Sequence, residues 1–194
     1  MKTRTKRILL VVSIPIFLFF CFCVFGIFYS FKYVHQHCIK SAGLDFHMYA
    51  GEHYGQLPFS TNGFGNALLE LVDTNYLAEI KLICGPGDDG HIFLEALKNN
   101  SIVPEEKCSR VYIQGLSDAN DPQICILFDR NSCPGGDHFR SPWGHRVREA
   151  CLLDGSMQII RDEDWPEFSK KQVELLVAAG FIKTNALHFY PAAK

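Results

Sequence analysis

The stretch REACLLDGSMQIIRDEDW, residues 148–165, decides the fold. Two short apolar runs flank Asp154-Gly155, and an acidic segment bearing Trp165 follows. Asp-Gly between strand-like runs is a hairpin signal, because both central residues of a type I′ turn need positive φ. A tight loop confined to Asp154 and Gly155 sets Leu153 opposite Ser156, Leu152 opposite Met157 and Ala150 opposite Ile159. Side chains alternate between the faces of a strand. Ala150, Leu152, Met157 and Ile159 are therefore expected to share one apolar face, which needs a helix as cover. On this reading Asp154 is a turn residue. A catalytic Asp154 needs a second polar group converging on it, and the sequence offers no obvious one.

At the other end of the chain, Lys2, Arg4, Lys6 and Arg7 form a basic head (residues 1–7), and the run ILLVVSIPIFLFFCFCVFGIFY from Ile8 to Tyr29 carries no charge. About 20 apolar residues suffice to span a bilayer as a helix, and lipid-embedded helices tolerate a proline such as Pro15. Residues 8–30 are expected to be a transmembrane helix. The basic head keeps the N-terminus in the cytoplasm and places Lys32 onward outside, in a single-pass inner-membrane topology. A cleaved signal peptide is the competing reading. It usually has a shorter apolar core and a small-residue cleavage site, where this chain has FGIFYSF. With a net charge of -2 over 194 residues, nothing marks the chain as a nucleic-acid binder.

Of the eight cysteines, Cys21 and Cys23 lie in the apolar run, leaving Cys38, Cys84, Cys108, Cys125, Cys133 and Cys151 outside it. An even number in an exported domain suggests disulfides, with the pairing left open. Cys125 with Cys151, and Cys84 with Cys108, are two candidate pairs. Zinc fits less well, since no Cys or Cys/His pair has ligand spacing.

Between these landmarks the chain reads as short elements. Ile39, Ala42, Phe46, Tyr49 and His53 or Tyr54 form one stripe of an amphipathic helix, a stalk over residues 31–55 ended by Gly55 and Pro58. His35, His37, His47 and His53 lack the spacing of a metal-binding pair. FGNALLELVDTNYL and HIFLEALKNN read as short helices, SRVYIQGL and QICILF as strands. DEDWPEFSKKQVELLVAAGF reads as a helix with Pro166 in its first turn and Gly180 past its end. The sum is an α+β domain over residues 56–194: a small antiparallel sheet packed on the N-terminal helix, with a C-terminal helix.

In this order the segments resemble those of the type IV pilins and type II secretion pseudopilins, and more closely the prepilin-like proteins with a C-terminal His…Asp-Gly motif. CIKSAGLDFHMYAGEHYGQLP resembles their helix end and YLAEIKLICGPGD their Cys-Pro-x-Asp loop, here with Gly85 inserted. SRVYIQGL resembles their Ser-Tyr-x-Tyr strand, and HRVREACLLDGSMQII the segment holding the motif, with Asp154 and Gly155 at its positions and His145 one residue nearer to them than the motif's usual spacing. The likeness spans roughly residues 34–178. It implies a pilin-like fold, a membrane anchor and partners within a pilus or secretion-type assembly. The peptidase site of that family, and the glutamate its assembling members carry inside the apolar segment, have no counterpart between Ile8 and Tyr29.

Three functional readings follow. The first is a non-enzymatic, membrane-anchored structural protein that presents extracytoplasmic loops to partners, the loop Asp129–His145 with Phe139 and Trp143 foremost. The second is an anchored enzyme using His138, His145, Asp137 or Asp154. The third is a calcium-stabilised binding domain drawing on Asp88, Asp89, Asp118, Asp121 and Asp129, without an EF-hand pattern. The first is the expectation: no catalytic group, and no cofactor unless Ca²⁺.

Overall fold

In a computed structural model, the structure describes residues 18–26, 39–73, 80–85, 88, 90–134, 145–181 and 187–189. The chain divides into two compact units, residues 1–34 and 35–194. The first contributes a helix over residues 18–26. Leu18, Phe19, Phe20, Phe22 and Phe25 are all exposed on it, and none of its residues is buried. No helix among the described residues is long and apolar enough to cross a membrane. The rest of the expected span, and the join from stalk to span over residues 27–38, lie outside the described residues.

The second unit is α+β. A helix over residues 39–52 (α1) buries Ile39, Ala42, Phe46, Tyr49 and Ala50. This is the expected stripe up to Tyr49, but the helix ends at residue 52, so His53 and Tyr54 fall in the turn beyond it and Tyr54 is fully exposed. α2 (Phe64–Asp73) buries Phe64, Gly65, Ala67, Leu68 and Leu71, and the Glu105 carboxylate accepts the Phe64 N–H at its first turn. α3 is His91–Asn99. α4 (Trp165–Ala178) has Pro166 in its first turn and buries Trp165, Ser169, Gln172 and Leu176.

The strands are β1 (Arg110–Tyr112), β2 (Cys125–Asp129), β3 (Cys133–Pro134), β4 (Arg146–Leu152) and β5 (Met157–Arg161). All pairings are antiparallel: β1 with β2, and β4 with β2, β3 and β5. A strand has two edges. β5 takes the whole length of one edge of β4, so β2 and β3 share the other, with a break at Arg130–Ser132. The order across the sheet is β1, then β2 with β3, then β4, then β5.

The hairpin stands where the Asp-Gly places it, but its register is one residue away from that expected. Met157 pairs with Cys151, Gln158 with Ala150 and Ile159 with Glu149. The cause is the turn. Gly155 alone takes positive φ, 76°, while Asp154 does not, so a type I′ turn is not formed. Gly155 N–H bonds to Leu152 O, and Leu152 N–H bonds to Ser156 O. This is a type I turn followed by a left-handed glycine, the three-residue loop with a bulge. A one-residue slip swaps every side chain to the other face. Ala150 and Leu152 therefore do not share a face with Met157 and Ile159.

The two faces are covered by different helices. Val111, Phe128 and Ala150 lie in one row, and Phe128 and Arg148 pack on Trp165 of α4, with ring centroids 5.4 Å apart for Phe128 and the guanidinium 4.4 Å from the ring for Arg148. Phe189 stacks on Phe128 at 4.5 Å. On the opposite face Tyr112, Leu127, Cys151 and Met157 form the row that meets α1, where Phe46 stacks on Tyr112 at 4.9 Å. The sheet is thus sandwiched between α1 and α4.

Candidate functional site

The Asp-Gly corner rests on α1. A Cβ at Gly43 would come 2.7 Å from Cys151 Sγ and 3.5 Å from Gly155 Cα, so glycine at 43 is what lets helix and hairpin approach. His47 Nε2 lies 3.4 Å from where a Gly155 Cβ would stand. Asp154 is exposed and its Oδ1 accepts the Ser156 N–H at 2.8 Å, a bond that shapes the turn. His145 is exposed at the far end of the seven-residue β4. At about 3.3 Å per residue, roughly 20 Å separates it from the Asp154 corner. The two residues of the motif therefore do not share a site.

His47, Cys151 and Asp154 all border this corner. Their chemistry runs against nucleophilic use. Cys151 is fully buried, its Sγ donates to Leu152 O at 3.6 Å, and burial, reinforced by Asp154, pushes its thiol up to about 12. A reactive cysteine needs the opposite shift and access to solvent.

The other thiols behave similarly. Burial pushes Cys108 up to about 12, and Cys125 is raised by burial and by Cys151 beside it. Cys108, Cys125 and Cys151 are free thiols, so the expected bridges Cys125–Cys151 and Cys84–Cys108 are not formed. The register gives the reason for the first: Cys125 pairs with Leu152 and Cys151 with Leu127, with a bulge between Cys125 and Leu127. Cys84, expected to pair with Cys108, instead donates its Sγ to Ile80 O at 3.3 Å. Cys133 lies in β3 beside Val147, and Cys38 lies outside the described residues.

A buried row of charge crosses the sheet on the α1 face. Arg110, Asp129 and Glu149 are 0%, 0% and 1% exposed and occupy three neighbouring strands. Arg110 Nε donates to Asp129 Oδ1 at 3.0 Å, Nη1 to Leu82 O at 2.8 Å and Nη2 to Glu149 Oε2 at 3.5 Å. The Glu149 N–H donates to Asp129 Oδ2 at 2.9 Å. That N–H points toward β2 at the break before β3, so the carboxylate stands in for a missing ladder partner. Gly85 lids the row, since its Cβ would lie 3.2 Å from Asp129 Oδ1. Its N–H donates to Ser109 Oγ at 2.7 Å, and that hydroxyl donates to Asp88. The loop after Leu82 is thereby tied to β1. Buried ions keep their charge only when paired and fully hydrogen-bonded. All three side chains are buried, each bonded to another member of the row.

Three of the acidic residues expected as calcium ligands have separate partners. Asp129 belongs to the buried row, Asp88 bonds Ser109 and the Gly90 N–H, and Asp121 accepts the Gln123 N–H. No group of three metal-ligating side chains occurs among the described residues. Asp89, Asp137, His138, Phe139 and Trp143 lie outside the described residues.

A groove of about 370 Å³ runs between α2 and α3, lined by Asn62, Asn66, Glu70, Asp73, Asn100 and Ser101 among others. Its polar groups already hold the scaffold together. Asn66 bonds both Asn62 O and the Val103 N–H, and Glu70 accepts from Tyr49 OH at 2.8 Å.

Comparison with protein-family models, with curated proteins and with solved structures gives no match.

The reading of the sequence missed the Arg110–Asp129–Glu149 row. The one available signal was Glu149 inside an apolar run, together with charges at the ends of two other strand segments.

Proposed function

We propose that the chain is a non-enzymatic, membrane-anchored protein of pseudopilin-like kind, whose second unit is an extracytoplasmic domain that presents its surface to proteins of a secretion- or pilus-type assembly. One observation carries the reading. The helix over residues 18–26 is apolar, buries none of its residues and exposes Leu18, Phe19, Phe20, Phe22 and Phe25, and it lies in an uncharged run that follows a basic head. Such a surface is stable against lipid rather than water. The charge bias at its N-terminal end orients it with the head inside. The sandwich of α1, an antiparallel sheet and α4 fits a domain held up on a helix, and the sealed, high-pKa thiols fit a scaffold better than a hydrolytic site.

The test is fractionation of cells expressing the full chain, with alkaline carbonate extraction and protease added to intact spheroplasts. Retention in the membrane with residues after 34 digested from outside is the expected result. Release by carbonate, or protection of the C-terminal unit, would overturn it. Intact mass of the same material reports any processing of the head.

A further inference from the structure

β5 is a terminal strand of the sheet, at the side opposite β1. Asp162 N–H bonds to Arg146 O, and Leu152 N–H bonds to Ser156 O. These bonds fix which groups of the strand face inward: those of 156, 158, 160 and 162 meet β4, and those of Met157, Ile159 and Arg161 point away from it. β5 pairs with no strand but β4 among the described residues. Neither Met157 nor Ile159 has any other main-chain bond there. Gln158 and Arg161 are exposed, and Ile159 is 44% exposed. The usual protections of an edge are proline, lysine, a bulge or a covering element. Among the described residues β5 has none of them, and its one charge, Arg161, is paired with Glu163 at 3.2 Å.

We propose that the β5 edge is a docking site for an extended peptide segment of another protein, one with an apolar residue opposite Ile159 and lysine or arginine at both ends. The backbone supplies the affinity by strand addition. The charge around the edge selects the ends. Asp154 lies beyond one end of β5, and Asp164 and Glu167, both exposed, lie beyond the other. The same charges argue against a second copy of this chain. Antiparallel self-pairing about Ile159 sets Asp154 of one copy beside the Asp162–Asp164 segment of the other, and like charges across a strand pair are destabilising. The inference does not require the membrane reading, since the edge belongs to the second unit alone.

The experiment uses the full chain in detergent micelles and two synthetic peptides, Lys-Lys-Val-Thr-Val-Thr-Val-Lys-Lys and its glutamate-flanked counterpart, titrated by fluorescence anisotropy at low and high salt. The lysine peptide is expected to bind, to weaken as salt rises, and to exceed the glutamate peptide by about tenfold or more. Ile159→Pro is the diagnostic variant. The N–H it removes points outward, so the ladder with β4 survives, as prolines on edge strands show. It is expected to lower affinity about tenfold with an unchanged circular dichroism spectrum. If that variant unfolds, Ile159→Lys tests the same edge by adding a repelling charge. Equal binding by wild type and a folded edge variant, equal binding of both peptides, or no binding of the lysine peptide would each overturn the proposal. So would a dimer in light scattering that Ile159→Pro dissolves, which would make a second copy the occupant.

Discussion

Arg110 Nε stands 3.0 Å from Asp129 Oδ1 with both side chains sealed from solvent. The pair joins β1 to β2, and Asp129 carries the contact onward to the Glu149 main chain. Removing one member strands the other. Arg110→Met is expected to cost about 3–5 kcal/mol, the usual loss when a buried ion pair is broken from one side. Asp129→Asn keeps an acceptor for the Glu149 N–H and is expected to cost less than Asp129→Ala. Urea unfolding of the full chain reads both. Equal losses for the two Asp129 variants would show that the carboxylate does not replace a ladder bond.

Gly43 faces Cys151 Sγ across a gap too small for a methyl group. Gly43→Ala is expected to destabilise by about 1–3 kcal/mol through overpacking. Cys151→Ala removes the obstructing sulfur, so the double variant should recover part of that loss. A double-mutant cycle by thermal melting measures the coupling. Simple additivity would mean that helix and hairpin separate to absorb the change.

The thiols of Cys108 and Cys151, pushed up to about 12 by burial, are expected to be inert. Maleimide at pH 8 should leave both unmodified in the folded protein and label them after denaturation, as read by peptide mass spectrometry. Rapid labelling of either in the native state, or a reductant-dependent mass shift at Cys108, Cys125 or Cys151, would contradict their burial as free thiols.

His188 sits edge-on to Phe64 at 5.5 Å, and burial lowers its pKa from 6.5, against the pull of the Glu105 carboxylate and with the push of Arg130. A histidine whose folded pKa is depressed is protonated more readily when unfolded. The unfolded state then binds more protons as pH falls below about 6.5, and stability falls with it. The described turn Leu187–Phe189, held by Phe189 on Phe128, should loosen on acidification. His188→Phe is expected to flatten the slope of stability between pH 6.5 and pH 5. An unchanged slope would assign the acid sensitivity to other groups.

Much of the scaffold was legible because it rests on periodicity. The stripe Ile39, Ala42, Phe46 and Tyr49 is buried as its spacing requires. α4, Trp165–Ala178, has the expected proline in its first turn and the expected glycine past its end. The Asp-Gly turn was also legible, but not its register, because the sequence does not say whether Asp154 or only Gly155 takes positive φ. That single dihedral decided which side chains met which helix. The buried ion row was opaque for another reason. Arg110 and Asp129 stand at strand ends, where charge normally meets water, and only the tertiary arrangement of the loop at Leu82–Gly85 seals them. His145 and Asp154 read as a pair in sequence because distance along a chain carries no measure of distance along a strand.

The break between β2 and β3 is spanned by side chains rather than by paired backbone. Asp129 closes one margin. On the other, Ser132 bonds Asp162 at 2.6 Å and its carbonyl accepts from Arg146, while Arg130 reaches the Cys108 carbonyl at 2.8 Å. The seam between β2 and β3 is therefore written in the identity of Asp129, Arg130 and Ser132, where an ordinary strand would accept any sequence that pairs its backbone.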